Sequence, residues 1–155
     1  HANMKATELA ELDLAYAPPY SSAKDPVNLA GFMIENIENG ILKQFHIEEI
    51  DQLPKDGSVT LLDTRTPGEY ARGHVDGFQN IPVDVLRKHL DEIEKGKPVY
   101  VICQSGLRSY ISTRILTGNG YDVYNFSGGF RFYDAVTNDR CLMETATACG
   151  MDCKK

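Results

Sequence analysis

Apolar and polar positions change rhythm partway along this chain. In "HANMKATELAELDLAY", Leu9, Leu12 and Tyr16 fall on one face at helical spacing, and the helix must stop at Pro18-Pro19, which bar continuation. "SSAKDPVN" restarts one, with Asp25 as N-cap and Pro26 at the first helical position, and Gly40 is a suitable end. Two helices around a rigid turn expose too little apolar surface to hold a core of their own. From Ile41 the texture becomes short β-type runs alternating with helical ones. These are "ILKQF", the helical "HIEEIDQL", "VTLLDT", a helix near "PGEYARG", "QNIPV", and a helix over "DVLRKHLDEIEKG". After them come "PVYVIC", the helix "RSYISTRILTGNG", the strand "DVYNFSG" and a last helix from about Phe130 to Val136. Such alternation implies a parallel sheet with helices on both faces. "VTLLD" and "VYVIC" are continuously apolar, as strands buried on both sides are, and are the expected central strands.

Composition narrows the class. At 155 residues and 42% apolar content the chain can fill one real core. Sixteen basic against twenty-two acidic residues, with no basic run longer than Lys154-Lys155, argue against a nucleic-acid partner. No apolar run approaches the roughly 18 residues that cross a bilayer, so a soluble, cytoplasmic protein without a membrane partner is expected. Three of the four cysteines, Cys141, Cys149 and Cys153, crowd into the tail, where a disulfide framework is not expected. Their Cys-x₃-Cys spacing lacks the histidines and paired Cys-x₂-Cys knuckles of zinc sites, so no metal is expected. Cys103 stands apart.

Ligands of open parallel α/β sheets bind beyond the carboxyl ends of the strands, and Cys103 is the last residue of "VYVIC". Gln104, Ser105, Gly106 and Leu107 have little bulk, so their amides can curl inward beside the free donors of the following helix start. That cradle, with Arg108 as a fixed positive charge, favours thiolate over thiol and predicts a lowered pKa and a nucleophilic sulfur. The competing reading is a small buried cysteine finishing a strand.

The motifs "VTLLDTRTPGEYARGHVDGFQNIPV", "PVYVICQSGLRS" and "NGYDVYNFSGGF", between about Leu42 and Tyr133, resemble the rhodanese family of sulfurtransferases. The resemblance implies a rhodanese-like α/β fold, with a five-stranded parallel sheet flanked by helices on both faces. It also implies that Cys103 takes up a sulfane sulfur as a persulfide and passes it on. Gln104, Ser105, Gly106, Leu107 and Arg108 then form the loop that holds the persulfide. The expected partners are a small persulfide or polysulfide donor and a thiol acceptor. From Cys103 to Arg108 the loop has six residues, the family's length for sulfur transfer, whereas its phosphatase relatives have one more. One cation in the loop favours a neutral or bulkier persulfide over thiosulfate. Phosphatase or arsenate reductase chemistry, and redox sensing by Cys103, are the alternatives on this fold. Asp63 and Arg65 match an acid and an arginine of the family; Asp63 is expected to be a buried acceptor, and Arg65 to pair with Glu69 or face the pocket. His74 is expected to shape its turn.

"LAELDLAYAPPYSSAKDPVNLAGF" resembles the end of the dimerisation domain of flavin-dependent coenzyme A disulfide reductases, some of which carry a rhodanese domain directly after it. The expected organisation is a helical remnant at 1–40, a rhodanese domain at 41–137 and a flexible tail at 138–155. The resemblance implies a longer, homodimeric protein using FAD, NAD(P)H and coenzyme A, with Tyr16 and Tyr20 near the dimer interface, while residues 1–155 themselves need no cofactor. The sequence has no Gly-x-Gly-x-x-Gly fingerprint. "ACGMDC" is similar to the opening of small sulfur-carrier domains, but that motif has a proline where this chain has Lys154.

Overall fold

A computed structural model describes residues 3–15, 18–20 and 23–145, with side chains described as far as Arg140. Tyr16, Cys149 and Cys153, and the side chain of Cys141, lie outside the described residues. The chain forms two compact units, His1–Lys43 and Gln44–Lys155, so the boundary falls a few residues beyond the one expected from the change of texture.

Among the described residues, the first unit holds one α-helix, α1 (Pro26–Glu38), capped as expected: the Asp25 carboxylate accepts from the Val27 amide at 2.9 Å, and Pro26 opens the helix. The chain leaves it through Gly40 at φ +66°. Before α1, the expected α-helix is instead a 3-10 helix, Ala6–Glu11. Asn28, buried in α1, donates through Nδ2 to the carbonyls of Leu9, Ala10 and Leu12. Those carbonyls would otherwise serve a continuing helix, so tertiary hydrogen bonding overrides the local periodicity. Gly31 lets the two backbones meet, since a Cβ there would collide with Leu9 and Ala10.

The second unit is built on a five-stranded sheet of order β1-β5-β4-β2-β3, with β1 Lys43–Phe45, β2 Thr60–Asp63, β3 Gln79–Asn80, β4 Val99–Ile102 and β5 Val123–Phe126. The β2–β3, β2–β4 and β4–β5 ladders are parallel, and Leu62 pairs with Val101 in the centre. The apolar runs "VTLLD" and "VYVIC" are thus interior strands, and their alternate residues feed two cores. Leu62, Val99, Val101 and Val123 meet Ile115 and Leu116 of α4 (Leu107–Gly118) on one face. Leu61, Ile102 and Phe126 meet Phe45, Ile47, Ile50, Val75 and Phe78 on the other. Phe130, Tyr133 and Val136 of α5 (Gly129–Thr145) pack on that second core. The short helices α2 (Ile47–Ile50) and α3 (Pro67–Arg72) complete the α/β fold.

Two elements differ from the pattern. "DVLRKHLDEIEKG" forms two 3-10 turns, Leu86–Lys88 and Leu90–Glu92, in place of one helix. The Tyr121 hydroxyl lies 2.7 Å from the Leu90 carbonyl and 3.1 Å from that of Ile93 and engages backbone acceptors that a continuous helix would use for its own ladder. The last helix runs to Thr145, not Val136, so residues 138–145 are helical where a flexible tail was expected. No glycine or proline interrupts 130–145, and Arg140 reaches Asp51 at 3.5 Å.

Candidate active site

Parallel strands deliver their carboxyl ends to one edge of the sheet, where Asp63 closes β2 and Cys103 follows β4. Cys103 is 1% exposed. Its Sγ accepts from the Gly106 amide at 3.1 Å and lies 3.3 Å from the Ser109 hydroxyl. Gly106, at φ +109°, is the N-cap of α4 and supplies no side-chain cap, so the first-turn amides of α4 keep the donors that a cap would otherwise engage. The left-handed backbone at Gly106 turns the chain sharply enough to bring its own N–H back to the sulfur. Ser109 has one hydroxyl proton and two acceptors within reach, Cys103 Sγ and the Gly106 carbonyl at 3.0 Å. An anionic sulfur takes that proton, because charge-assisted hydrogen bonds are the stronger ones.

The far side of the loop is pinned by α5. The Phe130 amide donates to the Cys103 carbonyl at 2.7 Å, and the Arg131 amide to the Gln104 carbonyl at 3.1 Å. This close approach requires glycine at position 129, where φ is +70° and a Cβ would lie 2.6 Å from Ser105 N and 2.7 Å from the Gln104 carbonyl. Gly129→Ala is expected to cost about 1–3 kcal/mol in backbone strain and to push the loop off the sulfur. Denaturant unfolding measures the first effect, and the rate of Cys103 alkylation, which should change with loop position, the second.

Two ion pairs flank the loop. Asp63 and Arg65 are both buried, and Asp63 accepts from the Arg65 backbone amide, Nε and Nη2, the last at 2.7 Å. Arg65 also donates to Gln104 Oε1 at 3.3 Å and to the Gly73 carbonyl at 2.7 Å, and its Cζ lies 3.9 Å from the Phe130 ring centroid. Asn80 joins β3 to this edge through the carbonyls of Asp63 and Arg65. Arg108 makes a two-pronged pair with Glu69 at 2.7 and 2.8 Å. The expected Arg65–Glu69 pairing is corrected, since Glu69 belongs to Arg108 and Arg65 to Asp63; Arg108 stays close enough to Cys103 for the two to interact electrostatically.

Arg108 holds the Glu69 carboxyl well below the usual carboxylate range, aided by Thr66 and opposed by partial burial. Glu69 raises the Arg108 guanidinium in turn. A carboxylate lowered on folding contributes stability that is complete above its unfolded value, about 4.3, and is lost as pH falls below it. The stability difference between wild type and Glu69→Gln is therefore expected to be constant from pH 8 to about 5 and to shrink below about pH 4, as checked by urea unfolding across that range.

Of the other residues singled out in the sequence, Ser105 and Leu107 are exposed on the loop. His74 stacks on Tyr70 with ring centroids 3.9 Å apart, and its Nδ1 lies 3.1 Å from the Tyr70 carbonyl, within its own turn. Tyr20 is exposed. Ser109 is a site residue that the sequence does not announce; a serine in a first helical turn carries no pattern of its own, and only its place six residues after Cys103 hints at it. Arg65, Glu69, Arg72, Gly73, Gln104 and Phe130 line a cleft of about 280 Å³ beside the loop. Among the described residues, no His/Cys/Asp/Glu cluster could hold a metal ion, and no helix is long and apolar enough to cross a membrane.

A sheet of this order, with a cysteine cradled between its central strand and the next helix, defines a class. Residues 46–135 match the Rhodanese-like domain family, and the chain belongs to it. The structure is similar to reduced CoADR-RHD of Bacillus anthracis, at 43% identity over 90% of this chain and with a TM-score of 0.83. It is also similar to an NAD-dependent persulfide reductase from A. fulgidus, at 37% identity over 85% of this chain and with a TM-score of 0.73. A protein of Allochromatium vinosum named sulfurtransferase is 33% identical over 63% of this chain and 85% of its own length. The chain spans only 25% and 23% of the two reductase structures, and 57% of the first curated relative it matches.

Proposed function

We propose that this chain is a sulfurtransferase domain in which Cys103 cycles between thiolate and persulfide. The observation that carries the reading is the pair of donors on Cys103 Sγ, the Gly106 amide and the Ser109 hydroxyl, at the uncapped start of α4. The Cys103 thiolate attacks the terminal sulfur of a donor RS–SH. A Cys103 S–S bond forms, the donor's S–S bond breaks, and RS leaves with the electron pair, taking the proton as it becomes a thiol. An acceptor thiolate, or cyanide in an assay, then attacks the outer sulfur and frees the Cys103 thiolate. Both halves pass an anionic sulfur over the same donors, so the cradle serves each without a separate general base.

The donor we favour is a persulfide, with a thiol as acceptor. The guanidinium groups of Arg65 and Arg108 are each engaged by a carboxylate, which weakens their pull on a dianion such as thiosulfate. The likeness to CoADR-RHD and to the persulfide reductase supports a role beside a flavin- and NAD(P)H-dependent reductase of coenzyme A disulfide or persulfide, in a homodimeric, cytoplasmic protein. Such cofactors would bind outside residues 1–155, which carry no dinucleotide fingerprint.

The test offers the chain glutathione persulfide with cyanide, and separately para-nitrophenyl phosphate. Catalytic thiocyanate release with no phosphate release is expected. Phosphate release without thiocyanate would transfer the fold to phosphatase chemistry.

A further inference from the structure

We infer that Arg72 selects the sulfur donor by binding an anionic group remote from the donor's transferable sulfur. The inference rests on the sulfur-transfer reading above and concerns the charge balance of the cleft beside the loop. Three charged residues line that cleft: Arg65, Glu69 and Arg72. Two of them are answered, Arg65 by Asp63 and Glu69 by Arg108. Arg72 is exposed at the last position of α3, and among the described residues no carboxylate forms an ion pair with it. Its Nε donates to the Gly68 carbonyl at 3.0 Å. That bond ties the guanidinium plane to α3 and leaves the terminal nitrogens, a planar fork, for a ligand.

The cleft is thus charge-matched near the loop and positive at Arg72. Thiosulfate carries its charge next to the sulfur being transferred and gains little from such an arrangement. A low-molecular-weight persulfide with carboxylates or phosphates some bonds away from its sulfur fits both ends: the sulfane end goes to Cys103, next to Gln104 of the cleft wall, and the anionic tail meets Arg72. Arg65 and Phe130, stacked on each other, both line the cleft. The reacting step is unchanged, because Arg72 touches the tail and not the sulfur.

The experiment measures the second-order rate of sulfur loading on Cys103 from three donors, for the wild type, Arg72→Gln and Arg72→Lys. The donors are glutathione persulfide, whose tail carries carboxylates, coenzyme A persulfide, whose tail carries phosphates, and N-acetylcysteamine persulfide, whose tail is uncharged. Arg72→Gln is expected to lose about five- to tenfold with one or both of the donors with anionic tails and nothing with the donor whose tail is uncharged. Whichever anionic donor shows the loss identifies the group recognised. Arg72→Lys should retain most of the rate, and added salt should mimic Arg72→Gln in the wild type. Arg72 also sits where a cation favours the end of a helix, and that role alone would change all three donors alike. An equal change with all three, or no change with any, overturns the assignment. Absence of loading in the wild type from every donor would overturn the sulfur-transfer reading itself, and this inference with it.

Discussion

Replacing Cys103 with serine is expected to reduce thiocyanate formation from a persulfide donor by about 10³-fold or more while leaving the fold intact. Persulfide formation needs sulfur at this position, and a serine hydroxyl is not ionised near neutral pH and brings no sulfur to form the sulfur–sulfur bond. The fold should survive because the serine oxygen can still accept from the Gly106 amide that now holds Sγ at 3.1 Å. The two cores are built from other side chains on either side of the sheet. Circular dichroism should show a melting temperature within a few degrees of wild type, the shift that roughly 1 kcal/mol produces in a domain of this size. A variant that kept its rate would assign the chemistry elsewhere.

The second large effect concerns Asp63 and Arg65, which are 0% and 1% exposed. Removing one member of a buried ion pair leaves the other charge without a partner or water, and this costs about 3–5 kcal/mol. Arg65→Met is expected to fall in that range by urea unfolding. It also removes the bonds to Gln104 and Gly73, so the loop after Cys103 loses a support. Adding Asp63→Asn should return part of the loss, since a neutral amide is far cheaper to bury than an unpaired carboxylate. If the double variant were less stable than Arg65→Met alone, the charge pairing would not be the source of the cost. Glu69 and Arg108 make a similar two-pronged pair at side-chain exposures of 22% and 30%, so its loss should cost much less.

The sheet was legible because burial on both faces writes itself into sequence as unbroken apolar runs. "VTLLD" and "VYVIC" could hardly be anything but interior strands, and Asp25-Pro26 announced the start of α1 by simple capping chemistry. Local pattern failed where a distant side chain captured backbone carbonyls. Asn28 does so to residues 9–12, and Tyr121 to residues 90–93, and both replace an expected α-helix with 3-10 turns.

The site divides in the same way. Cys103, Gly106 and the start of α4 lie within a few residues of each other, so their cradle could be read directly. Gly129 owes its importance to Ser105 and Gln104, more than twenty positions earlier, and only the packing of α5 reveals it. Partner choice among charges was equally hidden. Asp63, Glu69, Arg65 and Arg108 admit more than one pairing on paper, and chain direction at the sheet edge decides between them.

The most direct measurement is intact mass after exposure to a persulfide donor and then to cyanide, on the wild type and on Cys103→Ser. The account requires that the wild type gain one sulfur atom and lose it to cyanide with release of thiocyanate, while the serine variant gains none. A wild type that stays at its original mass, or a serine variant that gains the same cyanide-labile sulfur, would contradict it.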